Sequence, residues 1–341
     1  MGKILYLECN SGISGDMTVG ALLDLGADRQ VLENALESLG VDGYHLHFGR
    51  KVVSGLDAFD FDVHLEEHEH GHEEGHGHEE GHWHEEGHRH EDGHGHEHEH
   101  GHEDGHRHEA GHGHEVGHGH EHEHSHEADH GHEHEHSHEA GHGHPHPHIH
   151  RNLHDIYHII DRLDSNERVK EMARTMFRIV AEAESKAHGL PVEQVHFHEV
   201  GAIDSIVDII SAAVCIDNLG VEDVVVSALS EGHGHVHCQH GVLPVPVPAT
   251  ANIASSYGLK LHFTDNDGEM VTPTGAAIAA ALRTKDRLPS SCRLLKVGMG
   301  AGNKVFKQAN VLRAMLLETS QEEDRTMWVL ETNLDDCTGE M

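Results

Sequence analysis

Four stretches of this 341-residue chain bring together side chains that hold metals, move protons or bind anions. In His196-Phe-His198-Glu199-Val-Gly-Ala-Ile-Asp204-Ser-Ile-Val-Asp208, two imidazoles and three carboxylates fall within thirteen residues. Asp204 and Asp208 are four apart, so they share one face of a helix near its start, and His196 and His198 lie on the segment entering it. The group suits a divalent-metal site or acid/base chemistry, and equally suits plain helix capping, where first-turn acids meet the dipole. In His233-Gly-His235-Val-His237-Cys238-Gln-His240, four imidazoles and a thiol fall within eight residues. Strand alternation puts His233, His235 and His237 on one side, with Cys238 and His240 on the other. A thiolate with imidazoles is a soft site for nickel or zinc, and the alternative is an exposed His-rich loop.

Two turns are candidates for holding anions. Ser11-Gly-Ile-Ser14-Gly-Asp16 sits between a strand and a helix, where free backbone N–H groups can cradle a phosphate. It is neither a nucleophile elbow, since the pattern fails at Asp16, nor a P-loop, since no Gly-Lys-Ser/Thr follows. Thr272-Pro-Thr274-Gly275 has the form of an N-cap with Pro in the first helical turn. Both turns also read as ordinary caps. Gly298-Met-Gly300-Ala-Gly302 follows a strand without opening a helix, so it is a weak dinucleotide fingerprint. His-Glu-x-x-His recurs inside the histidine repeats, as at His72-Glu-Glu-Gly-His76, but those repeats carry no helical apolar face. The pattern is absent from the rest of the chain, which gives no zinc hydrolase signature there.

The composition is split. Of the 46 histidines, 34 lie in residues 64–150, with 24 acidic residues against only Arg89 and Arg107. That tract carries −22 of the formal charge of −38, and its Gly-His-Gly-His-Glu-His repeats have no apolar face to bury. It reads as a disordered metal-binding segment suited to Ni, Zn, Cu or Co, able to hold on the order of ten ions at three or four ligands each. Binding needs neutral imidazole, so its capacity collapses below about pH 6.5. Floppy ligands fix no geometry, so the tract is read as supply, without a role in catalysis. The remaining residues have ordinary globular composition and are acidic, which disfavours nucleic acid and anionic lipid. No apolar run approaches the ~20 residues of a membrane span, which excludes the His-rich zinc transporters. Met1-Gly-Lys leads straight into a strand, and the five scattered cysteines form no Cys-x-x-Cys pair. The expectation is a cytoplasmic protein with reduced thiols and no signal peptide.

The elements expected to position these residues follow from periodicity. Strands are expected at Lys3–Cys9, Val224–Ala228, Leu294–Met299, Val311–Leu317 and Met327–Glu331, with a hairpin of Tyr44–Val53 and Leu56–Leu65 around Ser54-Gly55. Helices are expected at Asp16–Leu25, Arg29–Leu39, Leu153–Leu163, from Ser165 to His188, Ala202–Leu219, Ala249–Tyr257 and Thr274–Leu282. Strands and helices without a strict alternation indicate an α+β fold, with mixed strands and helices around one or two cores.

Taken in order, the motifs resemble the family that inserts nickel into the nickel-pincer nucleotide. They are Ile4-Leu-Tyr-Leu-Glu-Cys9 with Ser11-Gly-Ile-Ser-Gly-Asp-Met17, His150-Arg-Asn-Leu-His-Asp155, His196-Phe-His-Glu-Val-Gly-Ala-Ile-Asp-Ser205 and Cys238-Gln-His-Gly-Val-Leu-Pro-Val-Pro-Val-Pro-Ala-Thr250. Gly268-Glu-Met-Val-Thr-Pro-Thr-Gly275, Gly300-Ala-Gly302, Asn310-Val-Leu-Arg313 and Leu330-Glu-Thr-Asn-Leu-Asp-Asp336 complete the series. The resemblance implies insertion of Ni(II) into pyridinium-3,5-bisthiocarboxylic acid mononucleotide, forming Ni–S bonds and a Ni–C bond, with consumption of CTP and a divalent metal, Mn(II) or Mg(II). The recipient it implies is a lactate racemase-type apoenzyme. On that basis His196, His198, Glu199, Asp204 and Asp208 are the expected catalytic group. Ser11, Ser14, Asp16, Thr272 and Thr274 are expected to bind the nucleotide, and His233, His235, His237, Cys238 and His240 to bind metal.

Residues 1–63 are expected to form an N-terminal α/β part, 64–150 the tract, 151–325 the main α+β part and 326–341 the start of a nucleotide-binding domain. The tract is long even for a family with a variable His-rich insertion at this place. The chain stops at Met341, a few residues past the Asn-Leu-Asp-Asp motif, where family members run on into a domain associated with CTP. The expectation is a truncated or frameshift-split protein that needs a C-terminal domain or companion chain, and a homo-oligomer. The competing class is a non-catalytic nickel store or metallochaperone.

Overall fold

The computed structural model describes residues 2–65, 151–195, 197, 203–238 and 240–319. Residues 66–150, His196, His198, Glu199 and the strand expected at Met327–Glu331 lie outside them. The chain divides into one unit of residues 1–69 and 145–341 and another of residues 70–144, which falls wholly outside the described residues. The first unit is α+β, as its pattern of strands and helices implied.

Its spine is a six-stranded mixed sheet built from β1 (Lys3–Glu8), β2 (Tyr44–Val53), β3 (Leu56–Leu65), β4 (Asp223–Val226), β9 (Arg293–Ala301) and β10 (Val311–Glu318), in the order β2-β3-β9-β10-β1-β4. β1 is an interior strand, between β10 and the edge strand β4, and both of its faces carry apolar residues. Leu5 and Leu7 enter the main core, and Ile4 packs with Val225 and Leu317 in a small cluster of its own. β1 runs parallel to β4 and antiparallel to β10, and β2 and β3 form an antiparallel hairpin around Ser54-Gly55.

The helices α1 (Gly15–Leu25), α2 (Arg29–Glu37), α3 (Leu153–Arg162), α4 (Glu167–His188), α5 (Ile203–Asn218), α6 (Pro248–Tyr257) and α7 (Pro273–Leu282) pack against the sheet and one another. The ends of these elements agree with their sequence expectation to within two residues. α1 has nine of its eleven residues buried, which makes it a core helix rather than a surface one. Burying one Leu of this kind is worth about 1.5–3 kcal/mol. It lies tight on β9 because that strand offers it glycine. A Cβ at Gly298 would stand 2.3 Å from the Ala21 carbonyl oxygen, and one at Gly300 1.9 Å from that of Met17. Gly298 and Gly300 therefore form a packing groove for α1, while Gly302 makes room for the Asn310 side chain.

Four short strands add to these, of which only residues 233–240 show strand alternation in the sequence: β5 (Leu229–His233) pairs with β8 (Leu261–Asp267), and β6 (His235–Cys238) with β7 (Gly241–Pro244). Among the described residues no helix is long and apolar enough to cross a membrane.

Candidate functional site

Three helix starts converge beside the sheet. The turn before α1 and the turn before α7 are stitched together, since Ile13 N–H donates to the Met270 carbonyl (3.0 Å) and Thr272 N–H to the Ile13 carbonyl (3.1 Å). Thr272 caps α7 by accepting from Gly275 N–H at 3.1 Å. Beneath them Glu231 is fully buried, and its Oε1 accepts from the backbone N–H groups of Gly232 (2.9 Å), Met270 (2.8 Å) and Val271 (3.3 Å). Burial raises the Glu231 carboxyl above its ordinary value, and those three bonds oppose the shift. Glu231 thus anchors the Glu269–Thr272 segment from below.

The start of α5 completes a cavity of about 340 Å³, lined by Ser14, Asp16, Asp62, Asp204, Asp208, Glu269, Thr272, Thr274 and Asn303 among others. α1 and α5 touch closely because residue 15 is glycine: a Cβ there would lie 2.2 Å from Asp208 Oδ2. The Asp16 N–H is bonded to the Asp208 carboxylate, whose Oδ1 is buried without a partner among the described residues. Burial drives the Asp208 carboxyl well above the usual carboxylate range, and the charges of Asp16, Asp204 and Asp62 push it further. Asp16 is raised by burial too, against hydrogen bonds from the Ser14 hydroxyl and Met17 N–H. A carboxyl so placed is tuned to hold and release a proton. The cavity is thus not a bare anion cradle. Helix N-termini supply donors, while a ring of carboxylates favours cationic groups.

Next to it lies a cavity of about 640 Å³ lined by His188, His235, His237, Cys238, His240, Lys304 and others. Glu269 and Pro273 line both cavities, so the two adjoin. The His188 and His240 rings are 4.9 Å apart, and Lys304 Nζ is 3.2 Å from Glu269 Oε2. Imidazoles and a thiol dominate the larger cavity, which also holds Glu184, 3.5 Å from His188, while carboxylates ring the smaller one.

The sequence-expected residues divide accordingly. Ser14, Asp16, Asp204, Asp208, Thr272 and Thr274 come together in the smaller cavity, and His235, His237, Cys238 and His240 in the larger. Two depart from expectation. Ser11 turns away and donates to the Ala309 carbonyl (2.7 Å), in a separate hollow with Thr264 and Asn266. His233 ends β5 and is cut off from His235 by Gly234, whose φ of +86° breaks the expected strand; its ring is 4.0 Å from the Asp267 carboxylate. Among the described residues no three His, Cys, Asp or Glu side chains are closed around a metal-sized space. Asp62, His188, Glu269 and Lys304 were missed. Only Glu269 carried a signal, its place within Gly268-Glu-Met-Val-Thr-Pro-Thr-Gly275.

The nickel insertion protein family matches this chain over residues 5–341. The chain belongs to that family. A protein of Alkaliphilus metalliredigens named pyridinium-3,5-bisthiocarboxylic acid mononucleotide nickel insertion protein is 45% identical over all of this chain and 70% of its own length. Proteins of the same name from Staphylococcus epidermidis (31% identical, all of this chain, 66% of the relative) and Geobacillus kaustophilus (34%, 99% of this chain, 68% of the relative) are similar too. The chain therefore spans about two thirds of the length of these relatives. No solved structure gives a significant match.

Proposed function

We propose that this chain carries the nickel-inserting centre that acts on pyridinium-3,5-bisthiocarboxylic acid mononucleotide. The observation that supports it best is the junction of the two cavities at Glu269 and Pro273, which sets an imidazole–thiol wall against a carboxylate wall. Insertion needs both. Ni(II) prefers nitrogen and sulfur ligands, so His188, His235, His237, Cys238 and His240 are the residues to present it. Forming a Ni–C bond on the ring releases the proton of the C–H bond that breaks, and a carboxylate must take it. Asp208 has that role, with Asp16 beside it and Glu269 at the junction. The pyridinium charge suits the carboxylates, while the nucleotide phosphate suits the hydroxyls of Ser14, Thr272 and Thr274 at the starts of α1 and α7. His196, His198 and Glu199 directly precede α5 in the chain and join this group as proton-transfer residues.

In this reading CTP and its Mn(II) or Mg(II) are handled by the remaining third of the relatives' length, as a C-terminal domain or companion chain. The product passes to a lactate racemase-type apoenzyme. The test is conversion of the bisthiocarboxylate nucleotide to its nickel form, read by mass spectrometry, by this chain supplied with that remaining third, CTP and nickel. No product would overturn the proposal. Deleting residues 66–150 separates an enzyme from a nickel store: the enzyme keeps turnover at ample nickel, whereas a store loses its function.

A further inference from the structure

The β2–β3 hairpin carries chemistry that the cleft does not use. Its antiparallel register sets His45 opposite His64, His47 opposite Asp62 and Gly49 opposite Asp60. Alternation puts all six on one face, while Leu46, Phe48, Phe61 and Val63 on the other join the core. The His45 and His64 rings stack with centroids 5.2 Å apart, and His47 meets His64 edge-on at 5.9 Å. His47 Nε2 is 3.6 Å from Asp60, and His64 Nε2 is 3.9 Å from Asp62. A side chain at position 49 would crowd this group, since a Cβ there would lie 2.6 Å from His47 Nε2.

Two placements give this face a purpose. The tract was expected to begin at His64, but His64 and Leu65 belong to β3; the rest of it follows directly in the chain, so the three imidazoles stand at its start. Asp62, directly across from His47, also lines the carboxylate cavity. The geometry points to a metal-binding station on this face, formed by His45, His47 and His64, that takes Ni(II) from the tract and passes it to the cleft past Asp62. The identity of the cargo rests on the nickel-insertion reading; the site itself does not.

The side chains of His47 and His64 are 46% and 49% exposed, so their rings are free to turn. An imidazole nitrogen sits about 2 Å from a bound divalent ion, so rings this close reach one ion by side-chain rotation alone. Three imidazoles leave coordination positions open. A relay needs that, because a closed four-ligand site would hold its ion.

The test is diethylpyrocarbonate labelling of the full chain at pH 7.5, resolved by peptide mass spectrometry, without and with saturating nickel chloride. Labelling of His45, His47 and His64 should fall together by at least about tenfold, since a coordinated ring nitrogen has no lone pair to acylate. His262, exposed on β8, should label equally in both. In a His45→Asn/His64→Asn variant, His47 should lose its protection, and the nickel concentration giving half-maximal product should rise. Unchanged labelling of the three in the wild type, or protection of His47 that survives the double substitution, would overturn the station. Full protection in a chain that forms no nickel nucleotide supports the station and counts against the nickel-insertion reading instead.

Discussion

Gly15→Ala probes the contact on which the carboxylate cavity depends. The added Cβ would lie 2.2 Å from Asp208 Oδ2, 2.7 Å from its Cγ and 2.6 Å from its Cβ. All three are far inside van der Waals contact, and Asp208 cannot simply swing away, because its carboxylate is held by the Asp16 N–H and its stem belongs to α5. Overpacking of this kind costs about 1–3 kcal/mol, and with both partners on helices the upper half of that range applies. For a domain of this size each kcal/mol lowers Tm by about 2–4 °C, so a fall of roughly 4–12 °C is expected in calorimetry. A double-mutant cycle with Asp208→Ala assigns the cost. Removing the carboxyl deletes two of the three contacts, so Gly15→Ala should then cost at least about 1 kcal/mol less, well outside the ~0.3–0.5 kcal/mol within which independent sites add. Equal cost in both backgrounds would refute the argument that α1 is pressed against the Asp208 carboxyl.

Asp208→Asn should raise stability while abolishing product, and its effect on stability should depend on pH. Because the folded-state carboxyl is raised above its unfolded value of about 3.9, its contribution is fully present below that pH and is lost as pH rises through the folded value. The Tm advantage of the variant should therefore widen from acid toward neutral pH; a constant difference would count against a strained carboxyl. Glu231→Ala leaves the N–H groups of Gly232, Met270 and Val271 without their acceptor and should cost about 2–4 kcal/mol in urea unfolding. Cys9 and Cys215 are buried with their thiols pushed up to about 12, so iodoacetamide at neutral pH should label exposed Cys292 and spare both. Labelling of Cys9 in native protein would show that the core opens.

Much of the fold was legible because its elements carry strong periodic or turn signals. The β2–β3 hairpin alternates cleanly, and Ser54 (φ +50°) and Gly55 (φ +85°) turn it as that pair suggested. The strands β5 to β8 were legible only in the alternation of residues 233–240. All four are short: β5 and β8 are defined by pairing with each other some thirty residues apart, and the four-residue strands β6 and β7 by a tight local hairpin. The site was legible only where its residues cluster in sequence. Asp204 and Asp208 signal each other at helical spacing, but Asp62 reaches them from a hairpin some 140 residues earlier, where it reads as an ordinary outward strand position. Glu231 carries no signal in the sequence, because the backbone groups that hold it lie nearly forty residues away.

Keeping the two walls of the cleft apart has a chemical reason. A metal donor and a proton acceptor interfere when they touch, because a carboxylate beside nickel becomes its ligand and loses the basicity that proton removal requires. In this fold the imidazoles and Cys238 come from the β6–β7 hairpin and the end of α4, where Glu184 beside His188 is a carboxylate able to join them as a ligand, whereas Asp16 and Asp208 come from helix starts. Glu269 and Pro273 are the boundary between them. Acid defeats both walls at once, since protonated imidazole releases nickel and a raised carboxyl keeps its proton. Loss of product at low pH should therefore be steeper than a single titration. Extra nickel should restore only the part that belongs to the imidazoles, leaving the Asp208 limb where it was. Full rescue by nickel would mean that the carboxylate wall takes no proton in the reaction.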